Sequence, residues 1–240
     1  EAPPAPLGEV VVTARKREES LQEIPLSVSA FSSADIRHAD LRNLEDVSLL
    51  TPGFRFDNMG HQEPGRYNTQ LKFRGLTTSQ FSPSFATGAL FIDGIYVLNG
   101  GLSLSLMDIE RIEVIKGPQA AYFGRNTFGG AVNIVTRDPD MENFAAAAQL
   151  RTTSRSNNEL SAIVEGPIVP GALSVSLSAR HYDKNGHFTA TNGDRTGNEK
   201  TTNYNSVVSW RAGDQLAFKL RYAYSEDDDG PPSQAFLSGK

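Results

Sequence analysis

The stretch MDIERIEVIKGPQAAYFGRNTFGGAVNIVTRDP, Met107 to Pro139, organises this sequence. Ile109, Ile112, Val114 and Ile115 make a strand destined for burial, and Gly117-Pro118 turns it. Gly124, Gly129 and Gly130 permit tight backbone approach ahead of a second strand, Ala131 to Thr136. Two buried strands joined through a glycine-rich turn are the centre of a domain, and the rest of the chain is read outward from them.

Upstream, residues 21–139 mix helix and strand. IPLSVSAF, Ile24 to Phe31, reads as a strand. Ser33 can cap a short helix from Ala34, with Asp35 favourable in its first turn. Asn43 can cap another, with Asp46 in a capping-box-like position, and this helix carries Leu44, Val47 and Leu50 on one face. Thr51-Pro52-Gly53 stops it. Strand-like pieces follow at Leu71 to Phe73 and Ala89 to Ile92. Ahead of the domain lie a Pro/Ala-rich lead, three consecutive valines (Val10, Val11, Val12) and a basic run, which together read as a mobile arm over residues 1–20. The valines are a strong strand signal, yet nothing beside them reads as a hairpin partner.

Downstream the period changes to two. Phe144, Ala146, Ala148 and Leu150 share one face, and Leu173, Val175, Leu177 and Ala179 lie opposite Ser174, Ser176, Ser178 and Arg180. Tyr204, Val208 and Trp210 follow, then Leu216, Phe218, Leu220, Tyr222 and Tyr224 opposite Ala217, Lys219, Arg221, Ala223 and Ser225. One apolar and one polar face suits a soluble sandwich and a membrane barrel alike. The connections separate them. GPIVPG (Gly166 to Gly171) and RAGD (Arg211 to Asp214) read as short turns, whereas Asp183 to Thr201 and the chain from Glu226 read as long polar loops. Short turns at one end and long loops at the other describe an outer-membrane barrel, with Trp210, Tyr222 and Tyr224 placed for an interfacial aromatic girdle. Only about five strands fit between Phe144 and Lys240, and an open edge in lipid leaves backbone groups unpaired. The expectation is an N-terminal piece of a longer protein.

Composition removes several classes. The net charge of −5 argues against nucleic acid as a partner. The absence of cysteine removes disulfide scaffolds, thiolate metal sites and cysteine nucleophiles. His38, His61, His181 and His187 lack ligand spacing, so no metal site is assigned. Glu226 to Asp229 could hold Ca²⁺, but a solvated acidic loop is the simpler reading. No P-loop and no nucleophile elbow occurs, and no cofactor and no enzymatic activity are expected.

The Met107 to Pro139 run resembles the plug domain of TonB-dependent outer-membrane receptors. GEVVVTA (Gly8 to Ala14) looks like their TonB box, and IPLSVSAF, LEDVSLLTPGF, KFRG (Lys72 to Gly75) and ALFIDGIYV (Ala89 to Val97) match further plug segments in order. The resemblance implies an α+β plug domain (21–139) after the arm, then the first antiparallel strands (140–240) of a transmembrane β-barrel with 22 strands in the whole protein. It implies a transporter in the outer membrane of a Gram-negative bacterium, with plug and arm facing the periplasm. Its partners are TonB, with the TonB-ExbB-ExbD system, a small-molecule or oligomeric nutrient, and outer-membrane lipid. A ferric siderophore is the leading substrate class; carbohydrate, cobalamin or another chelate is the alternative within the family, and a non-transporting binding or adhesin β-protein the alternative outside it. A signal-transducing receptor carries an extra domain ahead of the box, and only seven residues precede Gly8 here.

The same resemblance assigns residues. Glu9, Val10, Val11, Val12, Thr13 and Ala14 form the box, which adds as an edge strand to TonB and so needs no partner in its own chain. Arg74 and Lys116 are the plug's lock cations, awaiting barrel carboxylates; a lysine supplies a point charge without arginine's bidentate fork. Loops at Gly60 to Asn68, Thr77 to Thr87 and Leu98 to Leu102 face substrate, with Arg66, Tyr67, Gln80, Phe81 and Phe85 as candidate contacts. Val11→Pro in the intact parent protein is expected to leave substrate binding near normal while energised uptake fails, because proline deletes a main-chain donor. Unaltered uptake by that variant overturns the box assignment.

Overall fold

The computed structural model describes residues 11–13, 19–20, 26–58, 66, 69–76, 86–97, 104–186, 188–213 and 215–231. The arm contributes β1 (Val11–Val12) and β2 (Glu19–Ser20), which pair antiparallel with Val11 opposite Ser20 and Val12 opposite Glu19. The valine strand therefore has a partner in its own chain. The sequence missed it because Glu19–Ser20 carries no strand signal of its own.

The next segment alternates short strands and helices: β3 (Ser27–Ser32), α1 (Ser33–His38), α2 (Leu44–Leu49), β4 (Phe54–Asn58) and β5 (Thr69–Phe73). Ser32, one residue earlier than expected, caps α1: its hydroxyl accepts from the Asp35 amide, and the Asp35 carboxylate accepts from the Ser32 amide. Donation to its carboxylate from the Ser32 hydroxyl at 2.6 Å, and next from the Ser32 amide, holds the Asp35 pKa below its ordinary value. Asn43 caps α2 as expected, accepting from the Asp46 amide at 2.9 Å. Leu44 and Val47 are buried, but Leu50 closes the helix as its C-cap and is exposed.

A mixed sheet forms the centre of this domain: β6 (Gly88–Ile92), β7 (Ile95–Val97), β8 (Ile109–Lys116) and, after the single-turn α3 (Ala120–Phe123), β9 (Gly130–Thr136). Its order is β3-β8-β9-β6-β7, with β6 and β9 parallel and the other pairs antiparallel. One face covers a core of Leu44, Val47, Phe54, Phe73, Ile112, Val114 and Val132; the other covers Val12, Ala89, Phe91, Ile115, Phe123 and Ala131.

Phe73, at the end of β5, is fully buried across a glycine pair that faces itself in the parallel register, Gly88 and Gly130. A Cβ on Gly88 would lie 2.4 Å from the Phe73 ring; one on Gly130 would lie 2.5 Å from both that ring and the Ile115 carbonyl oxygen. These positions admit no side chain while the ring is seated.

Residues 145–229 form the second body, a five-stranded antiparallel sheet in the order β10-β11-β12-β15-β16. Its members are β10 (Ala145–Thr152), β11 (Asn157–Val169), β12 (Leu173–Lys184), β15 (Glu199–Ala212) and β16 (Leu216–Asp229). A two-stranded hairpin, β13 (Phe188–Thr189) with β14 (Arg195–Thr196), sits within the long connection from β12 to β15. Several boundaries differ from expectation: β12 runs on to Lys184 and β15 spans Glu199–Ala212, shortening the expected loop and turn. The Gly166 to Val169 segment continues β11, with a bulge between Pro167 and Val169, and β16 runs through the acidic residues to Asp229. The alternation holds: Leu160, Leu177, Tyr204, Trp210, Phe218, Leu220 and Tyr222 are exposed on one face, while Ser161, Ser176, Arg180, Asn203 and Ser209 are buried on the other. The polar face is turned to the mixed-sheet domain.

Gly130→Ala is expected to destabilise that domain by about 1–3 kcal/mol through overpacking. In a cycle with Phe73→Ala the two costs are expected to be strongly non-additive, since removing the ring vacates much of the space that a Cβ at 130 needs. Denaturation of the three variants reads this directly; strict additivity refutes the seating.

Candidate functional site

Three groups of residues draw on this arrangement. The first is the arm. Val12 is fully buried against the sheet, and Thr13 reaches Glu113 on β8, which is itself fully buried. The Glu113 carboxylate accepts from the Thr13 amide at 2.7 Å and from the Thr13 hydroxyl at 3.0 and 3.1 Å. It also accepts from Arg111 Nε at 2.8 Å and Asn133 Nδ2 at 3.3 Å. A buried carboxylate needs such a set of donors, so the arm residue helps to satisfy a charge at the domain's centre. Glu9, Val10 and Ala14 of the expected box lie outside the described residues.

The second group is the pair of expected lock cations, and the fold brings them together. Arg74 follows the seated Phe73 and takes a positive φ of 50°, its amide donating to the Gly53 carbonyl at 2.8 Å. Lys116 ends β8 and donates to the Ser29 hydroxyl at 3.1 Å and the Pro52 carbonyl at 3.3 Å. The two side chains flank Gly53: a Cβ there would lie 3.9 Å from Arg74 Cγ and 3.9 Å from Lys116 Cδ. Among the described residues, no carboxylate comes within ion-pair distance of either. Two adjacent cations with no counter-charge among the described residues suit an acidic partner.

The third group fastens the mixed-sheet domain to the strand wall. Arg137 meets Glu165 at 3.0 Å, and Lys219 meets Asp138 at 2.6 Å and the Thr136 carbonyl at 3.3 Å. Arg151 pairs with Asp40, and the Ser174 hydroxyl donates to the Pro139 carbonyl at 3.0 Å. Arg221 stands 3.7 Å from Asp93 and 3.8 Å from Asp108. Burial raises the Asp108 pKa above its ordinary value, a shift that Arg221 opposes.

Arg66 belongs to this third group. The sequence places it among open substrate contacts, but its guanidinium is 7% exposed and turned onto the wall. Its Nη2 donates to Thr201 Oγ1 at 2.6 Å, Asp229 Oδ1 at 2.8 Å and Asp227 Oδ1 at 3.2 Å. Burial works against this charge, yet Asp229, Asp227 and Glu199 together raise the Arg66 pKa. Beside it a polar cavity of about 250 Å³ opens between domain and wall, lined by Arg42, Arg151, Glu159, Arg180, Tyr182 and Lys184 among others. Tyr67, Gln80, Phe81 and Phe85 lie outside the described residues, as do most of the three expected apical loops. Among the described residues no cluster of histidine and acidic side chains is arranged to hold a metal.

Comparison with known proteins is consistent with this geometry. Residues 20–131 match the TonB-dependent receptor plug domain. The pesticin receptor of Yersinia pestis is 27% identical over 236 residues, covering 95% of this chain and 33% of that protein. The iron-regulated outer membrane virulence protein of Vibrio cholerae is 30% identical over 191 residues, covering 72% of this chain and 26% of that protein. The ferric yersiniabactin uptake receptor of Yersinia pestis superposes with a TM-score of 0.70 at 22% identity, over 84% of this chain and 31% of that one. The chain thus spans about a third of the length of such relatives.

Thr13→Val removes the hydroxyl's bonds to Glu113 but keeps the amide bond and the side-chain volume. It is expected to cost about 1–3 kcal/mol at that contact and to raise amide exchange at Val12 and Thr13 selectively. Unchanged exchange at those amides in the variant overturns the view that Glu113 retains the arm.

Proposed function

We propose that this chain, which belongs to the TonB-dependent outer-membrane receptors by its plug and its barrel-type strands, serves import of a ferric siderophore energised through TonB. The observation that carries the reading is the fold: a mixed-sheet plug fastened to the polar face of a strand wall whose opposite face is apolar. That wall suits lipid outside and a lumen inside. The iron connection is supported by relatives whose own names refer to iron regulation or ferric yersiniabactin uptake.

In this reading the Glu9 to Ala14 segment is the TonB box. Two of its residues are paired with Glu19–Ser20 and a third with Glu113. Augmentation of a TonB strand therefore competes with contacts inside the chain, and the box must leave β2 and Glu113 to be pulled. Arg74 and Lys116 are the lock cations, and their partners are carboxylates on further barrel strands. The plug and arm face the periplasm, and the β13–β14 hairpin lies at the outer rim. No bond is made or broken in the cargo; the work is displacement of the plug.

The test is the abundance of the intact parent protein in outer membranes of iron-starved and iron-replete cells, followed by uptake of ⁵⁵Fe-loaded chelates. A strong rise on starvation, with uptake abolished by collapse of the proton gradient, is the expected result. No change with iron moves the cargo to another nutrient class. Binding without gradient-dependent uptake sinks the transport reading and leaves an adhesin-like protein.

A further inference from the structure

The most heavily engaged side chain between plug and wall is Arg66. Its backbone amide and its Nε both donate to the same atom, Asp229 Oδ2, each at 3.0 Å. Nη2 is shared among Asp229, Asp227, Thr201 and the Lys200 carbonyl. Glu199 lies 3.8 Å away, and the Tyr182 ring centroid lies 5.8 Å from the guanidinium carbon. The partners come from the facing ends of two adjacent strands: Thr201 is opposite Asp227, and Glu199 is opposite Asp229, in the β15–β16 register. Asp229 is as buried as Arg66.

Two consequences follow from the chemistry. First, the charge is already answered. Three carboxylates surround one guanidinium, so an approaching anion meets an acidic neighbourhood rather than a free cation, and drawing Arg66 away would strand a buried Asp229. Second, the geometry is orienting. Main chain and side chain of one residue gripped by one carboxylate fix the direction of the backbone there, which a single contact would leave free. The grip joins positions 163 residues apart.

We propose that Arg66 is a positioning residue: it ties the plug to the acidic end of β15 and β16 and so supports substrate recognition through that tie, without itself taking the substrate's charge. This rests on the import reading for its substrate half only. The tie is separate from the Arg74–Lys116 pair and uses the last two strands of the wall.

The test uses the full-length parent protein in outer-membrane vesicles, with Arg66→Ala, Arg66→Lys, Asp229→Asn and the double variant Arg66→Ala/Asp229→Asn. Heat-modifiable migration confirms that each barrel has assembled. Amide exchange of the peptide containing Arg66 needs no ligand, and Asp229→Asn is expected to raise it by about tenfold or more. Binding is measured with ⁵⁵Fe-loaded tris-catecholate, tris-hydroxamate and citrate chelates. For a chelate that the wild type binds, Asp229→Asn is expected to weaken binding about as much as Arg66→Ala, with the double variant no worse than either. Arg66→Lys is expected to fall with Arg66→Ala, because lysine keeps the charge and loses the fork.

A different pattern overturns the proposal: Asp229→Asn leaving affinity unchanged or tighter while Arg66→Ala loses it assigns Arg66 to direct substrate contact. Unchanged exchange in Asp229→Asn also overturns it, by removing the tie itself. If the wild type binds none of the chelates, the siderophore reading fails, and the exchange result alone upholds or overturns the tie.

Discussion

The seat of Phe73 on Gly88 and Gly130 is the constraint on which the plug depends. The ring can lie flat only because two glycines face each other across the parallel β6–β9 pair. Once it lies there, the next residue leaves the strand in a tight turn, and Arg74 emerges beside Lys116 at the end of β8. On its other side β9 pairs antiparallel with β8, which places Asn133 beside Glu113. A packing contact with no polar atom thus sets where the paired cations emerge, in the same sheet that holds the buried carboxylate receiving the arm.

Between plug and wall the logic is polar. Apart from the bulge in β11, side chains alternate along each long strand, so each presents one row to the plug and one outward. The inward rows carry Glu165, Arg180, Asn203, Lys219, Arg221, Asp227 and Asp229, and several of these meet plug residues at ion-pair distance. Ion pairs of this kind are directional and replaceable by water, unlike interdigitated apolar side chains. A plug held this way can be firmly located and still part from the wall without exposing an apolar core.

Local chemistry was the legible part of the sequence. The Asn43 cap, the period-two strands and the Gly129-Gly130 approach are written in residues a few positions apart, and the structure has them. The cap of α1 was expected at Ser33 and lies at Ser32, which has with Asp35 the reciprocal spacing that Ser33 lacks. What failed was governed by distant partners. Four consecutive acidic residues read as a loop, yet they close β16, because Asp227 and Asp229 face an arginine more than 160 positions away. Arg66 read as an open cation for the same reason. The valine strand read as partnerless because its neighbour, Glu19–Ser20, is too short and polar to announce a strand.

The outward row has an optical consequence. The chain has one tryptophan, Trp210, which is 46% exposed on the apolar face and stacked on Phe218 with ring centroids 5.5 Å apart. Its indole belongs wholly to the wall, while the plug's aromatic rings are phenylalanine and tyrosine. Within these residues, excitation at the red edge of protein absorption selects the wall and leaves the plug dark. Emission from Trp210 therefore reports on the apolar face of the wall. Fluorine-labelled tyrosine would add a probe in the plug at Tyr96, whose ring is tilted against Phe91 with centroids 5.7 Å apart, beside probes in the wall at Tyr182, Tyr204, Tyr222 and Tyr224. Only the indole is confined to one body, so the wall can be followed by itself while the plug stays silent.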